Sequence, residues 1–273
     1  MRYIVDLHTH STASDGQYTP TQLVQRAVVR GIAVLALTDH DTTEGVEEAA
    51  KAGAGCGIRI IPGVELSARE HKNFHILGYN YDPSSPALSQ LCERQRTNRI
   101  KREEMILDYL RTKDMELSRD EVERLANGAV IGRPHFAQAL ARRGYVQTTR
   151  EAFQQYLDTA EFWEKVPRLE SDVRGCIDAV KASGGKVSLA HPYQMKLSDE
   201  ELDGLVRQLA AWGLDAIECF YPKYTPEQRA FYLRLAEKYD LHITGGSDFH
   251  GEQVKPDIEL SAWDLELSWL LGR

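Results

Sequence analysis

The residues of this chain that could do chemistry sit at the ends of short apolar runs. Asp6-Leu7-His8-Thr9-His10 follows Tyr3, Ile4 and Val5. A strand points alternate side chains to one face, so His8 and His10 project together. Two neutral imidazoles so placed can grip one metal ion, because imidazole is a common ligand for zinc, iron and related metals. Alone, a His-x-His pair is ordinary filler. Here Thr38-Asp39-His40-Asp41, Pro62-Gly63-Val64-Glu65, His75, Ala190-His191-Pro192 and Gly246-Ser247-Asp248-Phe249-His250 each follow or sit within a further apolar, β-branched run.

The elements that must position these residues are seven strands: Tyr3–Leu7, Ile32–Leu37, Ile58–Ile61, Phe74–Tyr79, Lys186–Ala190, Asp215–Phe220 and Leu241–Thr244. Helical patterns over Thr21–Arg30, Thr42–Lys51, Ser171–Ser183, Ser198–Trp212 and Pro226–Tyr239 lie between several of them. Strands alternating with helices predict βα units and a mostly parallel sheet. Residues 83–166 break the rhythm with nearly continuous helix, over Ser84–Lys113, Ser118–Asn127, Pro134–Arg143 and Thr149–Asp158. The expectation is a barrel domain of residues 1–82 and 167–273, with 83–166 as a helical insertion contributing to the substrate pocket. In a parallel barrel the strand ends converge on one mouth, where active sites are built. His8, His10, His40, His75, His191 and His250, six of the nine histidines, would share that rim with Glu65, Asp248 and Asp15. His71 and His242 are left as structural residues.

Bulk properties exclude several classes. With 42% hydrophobic and 27% charged residues the composition is that of a water-soluble globular protein. No apolar run is long enough to span a bilayer and no secretory signal opens the chain, so a cytoplasmic protein with no membrane partner is expected. Cys56, Cys92, Cys176 and Cys219 form no C-x-x-C pair and read as small core residues of a reducing compartment. The net charge of -8 argues against coating nucleic acid. Residues 92–165 carry fourteen Lys/Arg and thirteen Asp/Glu, so the negative charge lies in the remainder of the chain, where bound divalent cations would offset part of it.

In their order, the motifs Asp-Leu-His-Thr-His-Ser, Thr-Asp-His-Asp, Pro-Gly-Val-Glu, Ala-His-Pro and Gly-Ser-Asp-Phe-His resemble those of the PHP (polymerase and histidinol phosphatase) family over nearly the whole chain. The resemblance implies an α/β fold, a distorted (β/α)7 barrel, and a trinuclear metal centre. Carried over, His8, His10, Glu65 and Asp248 would hold one metal. Glu65 would bridge to a second, completed by His75 and His191, while Asp15, His40 and His250 would hold the third. The donor set suits manganese first, with iron or zinc as alternatives, two to three ions per chain. A hydroxide held by Glu65, Asp248 and His191 between two ions is a strong nucleophile at neutral pH. Asp39 and Asp41 are expected to orient His40 or its turn rather than to bind metal directly.

Within the insertion, Gly132-Arg133-Pro134-His135 opens a helix whose free N–H groups, beside Arg133 and His135, suit a phosphate. This element resembles the branch holding 3′,5′-nucleoside bisphosphate phosphatases and 5′-3′ exoribonucleases. The basic stretch Arg94, Arg96, Arg99, Lys101, Arg102 reads as a solvated helix face. Tyr193, Tyr221 and Lys223 follow strand ends and are candidates for lining the pocket, and His135 is also a candidate leaving-group acid. The expected activity is metal-dependent removal of the 3′-phosphate from a 3′,5′-nucleoside bisphosphate such as pAp. The alternatives are 5′-3′ exoribonuclease action on short RNA, histidinol-phosphate hydrolysis, and a non-catalytic nucleotide-binding scaffold. The expected partner is a small nucleotide or short RNA, with no stable protein partner.

Overall fold

The computed structural model describes residues 1–126 and 130–272. Asn127, the last residue of one expected helix, lies outside them. The chain divides into two compact units, residues 1–93 with 171–273 and residues 94–170.

The first unit is built on an eight-stranded sheet in the order β7-β6-β5-β4-β3-β2-β1-β8, curled into a nearly closed, distorted barrel. Its strands are β1 (Arg2–Thr9), β2 (Val34–Leu37), β3 (Arg59–Ala68), β4 (Phe74–Tyr79), β5 (Lys186–Leu189), β6 (Ala216–Phe220), β7 (His242–Gly245) and β8 (Trp263–Glu266). The parallel strands are joined by α1 (Pro20–Val29) and α2 (Val46–Cys56) in the first half of the chain. Strand β4 is antiparallel to both neighbours, and β8 is antiparallel to β1. The link between β3 and β4 is only residues 69–73, too short for the helical crossover a parallel pair needs. That reversal matters for the site. The start of β4 lies beside the finishing ends of β3 and β5: His75 is in register with Ser67, and the Ala190 N–H donates to the His75 carbonyl at 3.2 Å.

Several expectations are corrected by these elements. Strand β3 does not stop at Ile61 but runs on through Pro62-Gly63-Val64-Glu65, so Glu65 lies inside a strand rather than after one. Helix α2 starts later than expected and passes through Gly53. A Cβ there would lie 2.4 Å from Ile60 Cγ1, so Gly53 lets the helix close on β3 rather than ending it. The eighth strand and its neighbour Ser268–Leu271 were not anticipated. Cys92, Cys176 and Cys219 are buried as expected, whereas Cys56 is exposed at the end of α2.

Residues 94–170 hold most of α3 (Pro86–Arg111), then α4 (Arg119–Ala126), α5 (Arg133–Arg142), α6 (Thr149–Ala152), a π-helical turn at Phe153–Leu157 and α7 (Ala160–Lys165). Ile106, Leu110, Val122, Phe136, Leu140, Leu157 and Phe162 give this unit its own apolar core. The barrel resumes with α8 (Val173–Ala182), α9 (Asp199–Ala211) and α10 (Pro226–Lys238).

Candidate metal centre

The rim is assembled by backbone contacts between strand ends. The Asp248 N–H donates to the His8 carbonyl at 2.8 Å, and the His10 N–H to the Phe249 carbonyl at 3.0 Å. These bonds hold the segment after β7 against the end of β1. Gly246 makes the approach feasible, since a Cβ there would sit 2.2 Å from His8 Cβ. On the next side, the Glu65 N–H donates to the Asp39 carbonyl at 3.1 Å and the Asp41 N–H to the Glu65 carbonyl at 2.9 Å. Three non-glycine residues of the rim take the left-handed backbone region: Asp41 (φ 51°), His191 (φ 23°) and Asp248 (φ 56°). Such strain persists only where the surroundings fix it, and it collects at functional sites.

Glu65 lies at the centre of the cluster and is fully buried. Its Oε1 is 2.8 Å from His75 Nδ1, 2.9 Å from His191 Nε2 and 3.3 Å from His8 Nε2. Its Oε2 is 3.1 Å from His40 Nδ1 and 3.2 Å from His10 Nε2. Asp248 Oδ1 lies 3.4 Å from His10 Nε2, and Asp15 Oδ1 lies 3.3 Å from His250 Nε2. The structure thus brings together all nine residues singled out from the sequence as metal ligands. Donor atoms of His8, His10, Glu65 and Asp248 lie within 4.8 Å of one another, as do those of His10, Asp15, His40 and His250, and those of His40, Glu65 and His75. His191 joins the last set through Glu65 and through His75 Nδ1, 3.3 Å away. Solvent reaches the cluster on the side of Asp15, His40 and His75, whose side chains are 28%, 16% and 19% exposed.

The donor atoms fit a cation. His8 Nε2, both ring nitrogens of His10, His40 Nδ1 and Glu65 Oε2 are buried without a hydrogen-bond partner. Orphaned buried polar atoms are costly and rare, and an ion is a standard reason for them. Charge tells the same story. Burial opposes a charged His8, yet Glu65, Glu218 and Asp248 overcome it and raise its pKa well above the usual imidazole range. His10 is likewise raised to about 9, with Asp248 and Glu65 outweighing burial. Burial works against the Glu65 carboxylate, but His40, His75 and His8 hold its pKa well below normal. In His40 burial wins and the pKa is depressed. Protons are here standing in for more concentrated positive charge.

The supporting residues were only partly anticipated. Glu218, buried in β6, accepts from His8 Nδ1 at 3.1 Å and from the His191 N–H at 2.7 Å. Asp6 accepts from the Ser247 N–H at 2.9 Å, Ser247 Oγ at 2.6 Å and the Ser261 N–H at 2.8 Å. Burial raises the Asp6 pKa to about 6 against these bonds. Lys255 Nζ reaches Asp248 Oδ2 at 2.7 Å and Tyr221 OH reaches the same oxygen at 3.3 Å. Asp39 holds the loop that carries His10 and Asp15, accepting from the Ser11 N–H and Oγ at 2.7 Å each and from Ser14 Oγ at 2.6 Å. Asp41 accepts from the Ser67 N–H and Oγ at 3.0 Å each. Through these contacts Asp39 and Asp41 anchor the chain on either side of His40 and so hold its turn.

Of the candidate substrate residues, Tyr193 is half-buried, its ring 5.3 Å from that of Tyr221, and Lys223 is exposed in the turn after β6. In the helical unit, Arg133 Nη1 donates to the Leu157 carbonyl at 3.0 Å and to Asp158 Oδ1 at 2.9 Å. His135 Nδ1 accepts from the Gly132 N–H at 3.0 Å, and the His135 N–H donates to the Gly132 carbonyl at 2.9 Å, which caps the start of α5. His71 packs on Phe74 and His242 stacks on Trp269.

A barrel rim that gathers six imidazoles and three carboxylates defines a metal-dependent hydrolase. Comparison with known proteins narrows this. A family model of the PHP domain matches residues 6–166. The chain is 38% identical over 246 residues to a 5′-3′ exoribonuclease of Haemophilus influenzae, covering 90% of this chain and 89% of the relative. It is 32% identical over 248 residues to a 3′,5′-nucleoside bisphosphate phosphatase of Chromobacterium violaceum, covering 90% and 87%. The crystal structure of a candidate metal-dependent phosphoesterase from Bifidobacterium adolescentis superposes with a TM-score of 0.75 at 35% identity, over 96% of this chain and 91% of the other. The chain belongs to the PHP family and is a metal-dependent phosphoester hydrolase. Among its described residues no helix is long and apolar enough to cross a membrane.

Proposed function

We propose that this protein hydrolyses the phosphoester at the 3′ oxygen of a nucleotide that carries a 5′-phosphate, with pAp as the preferred small substrate. The observation that carries the reading is the convergence on Glu65 of five imidazoles from four strands, with buried donor atoms left unpaired. His8, His10, Glu65 and Asp248 would hold one ion, Glu65, His75 and His191 a second, and Asp15, His40 and His250 a third, with manganese the favoured metal. When bound, divalent ions supply a water ionised near neutral pH and positive charge facing the phosphoryl oxygens. The chain's own part is positioning. Glu218 holds the proton on His8 Nδ1, so the Nε2 lone pair faces the cluster. In the helical insertion, residues 83–166, Arg133 and His135 are the proposed substrate contacts; in the barrel unit they are Tyr193 and Lys223. The cytosol suits its four free cysteines.

A second reading, stepwise removal of 5′ nucleotides from short RNA, is favoured by the exoribonuclease relative, the more similar of the two named enzymes. The two readings share one bond. In pAp and in a 5′-phosphorylated RNA alike, the P–O3′ bond of the first nucleotide breaks. The test is product analysis with metal-reconstituted protein on pAp, 5′-phosphorylated oligoribonucleotides, histidinol phosphate and an aryl phosphate. Release of phosphate from pAp at the highest kcat/KM supports the first reading. Faster release of nucleoside monophosphates from RNA replaces it with the second, and turnover of none would return the chain to a scaffold.

A further inference from the structure

Trp163, on α7 of the helical unit, has three guanidinium groups about its indole. The carbon of Arg133 lies 4.5 Å from the ring centroid, that of Arg168 5.3 Å and that of Arg102 5.6 Å. They arrive from three places in the sequence: the middle of α3, the first turn of α5, and the segment after α7. Arg102 is tied down by its Nε–H, which donates to the Pro167 carbonyl at 3.3 Å. Two carboxylates face the group. Asp158 Oδ1 accepts from both Arg133 and the indole Nε1 (3.1 Å), and Glu170 faces Arg102 and Arg168. Around the indole itself, three guanidiniums meet these two carboxylates.

The crowding has an energetic signature. Burial lowers the pKa of Arg102; Glu170 opposes this, and the nearby charges of Arg133, Arg168 and Arg99 lower it further. Arg168 is lowered in the same way, by burial and then by Arg133 against Glu170. Covering one indole needs a single stacked cation. Gathering three like charges around it works against the fold, and departures of this kind collect at functional positions. An indole that fixes the planes of several guanidiniums also prepares them for bidentate contact with phosphate oxygens.

We propose that Arg102, Arg168 and Arg133, held in place by Trp163, form a binding site for the backbone phosphates of single-stranded RNA. The site rests on the nucleotidic reading of the substrate given above and extends it from one nucleotide to a strand. Nucleotide phosphates could also come from a small bisphosphate, so the experiment separates the two sources.

The experiment is fluorescence anisotropy of labelled, 5′-phosphorylated oligoribonucleotides of four and eight residues on the full chain in EDTA, with pAp as competitor and salt as a variable. Without metal there is no turnover, so a failure of the proposed hydrolysis is read separately in the product assay. Arg102→Gln and Arg168→Gln should each weaken oligonucleotide binding about tenfold and flatten its salt dependence by about 0.7 in the log–log slope for each phosphate no longer neutralised. The Lys variants at both positions keep the charge and lose the fork, and should retain the salt slope with an intermediate loss of affinity. They also serve where a Gln variant fails to fold. Unchanged oligonucleotide affinity in correctly folded variants would overturn the site. So would affinity that does not rise from pAp to the longer strand, which would assign the guanidiniums to a small nucleotide alone.

Discussion

The Nδ1–H of His8 donates to Glu218 Oε1 at 3.1 Å, in a part of the barrel where both side chains are fully buried. The other oxygen of the same carboxylate accepts the His191 N–H at 2.7 Å, so one residue of β6 orients a ligand on β1 and a ligand after β5. Outer partners of this kind typically contribute about ten- to a hundredfold to metal affinity. Glu218→Ala should therefore lower metal affinity by about that factor, read by titration of the metal-free protein. Glu218→Gln should do less harm, because its carbonyl still receives His8 while its amide faces the His191 N–H with the wrong polarity. Wild-type affinity in a folded Glu218→Ala protein would refute the role.

Metal removal gives the second prediction. Chelation should abolish hydrolysis, and reloading should restore it. Glu65 meets five imidazoles, whereas His250 meets Asp15 and Asp248 at one edge of the cluster. Glu65→Gln should thus cost more activity, and more bound metal, than His250→Asn. Full activity in a metal-free preparation would end the metal reading.

How much of this was legible in the sequence depends on what each residue does. All nine donors of the cluster could be read because each follows or interrupts an apolar run, which places it at a strand end. Glu218 left a fainter signal. It is a lone carboxylate inside Ala216-Ile-Glu-Cys-Phe, where a buried charge must have a partner. The antiparallel β4 was not legible: with a strand ending at Ile61 the gap to Phe74 leaves room for a crossover, and only the continuation of β3 to Ala68 shortens the link to residues 69–73. Strand β8 was not read: Trp263-Asp-Leu-Glu buries only Leu265, too short a pattern to stand out, and is held by its antiparallel ladder to β1. The arginine cluster around Trp163 depends on tertiary packing of segments up to 66 positions apart, and no local pattern announces it.

Proton release should accompany metal loading. In the metal-free chain His10 titrates at about 9, and Glu65, Glu218 and Asp248 outweigh burial to raise His8 well above the usual imidazole range, so both hold a proton at neutral pH. A ligand imidazole must be neutral, and each proton displaced makes apparent affinity rise by about tenfold per pH unit. Affinity should climb from pH 6 towards about 9, the pKa of His10, and level off as the imidazoles lose their protons. Titration calorimetry in buffers of different ionisation enthalpy measures the release directly. A pH-independent affinity would contradict the protonated state.

The cysteines should be bystanders to the chemistry. Burial raises the pKa of Cys92 to about 12 and that of Cys176 well above normal, so neither offers a thiolate at working pH. Cys176→Ala removes one buried heavy atom and should cost on the order of 1 kcal/mol of stability. Denaturant unfolding should register that loss, with kcat unchanged in metal-replete protein. A fall in kcat would reveal a thiol in the chemistry.

Arg133 separates recognition of a second phosphate from hydrolysis of the first. A guanidinium can take two phosphate oxygens at once. Only the Nη1 of Arg133 is committed in the hydrogen bonds to Leu157 and Asp158 described above. Removing one charge-assisted hydrogen bond costs about 1.5–3 kcal/mol, roughly ten- to a hundredfold in kcat/KM. Arg133→Ala should depress kcat/KM for pAp by that factor more than for an aryl phosphate, which has no second anion to hold. The variant also removes the Asp158 bond and the packing against Trp163, so Arg133→Lys is the better-behaved companion. It keeps the charge but not the fork, and its loss on pAp should be smaller. The ratio of the two substrates cancels any shared effect of altered folding or metal content. If both substrates lose activity equally, Arg133 acts on the reacting phosphate or on the fold, and recognition of the bisphosphate must be sought elsewhere in the helical unit.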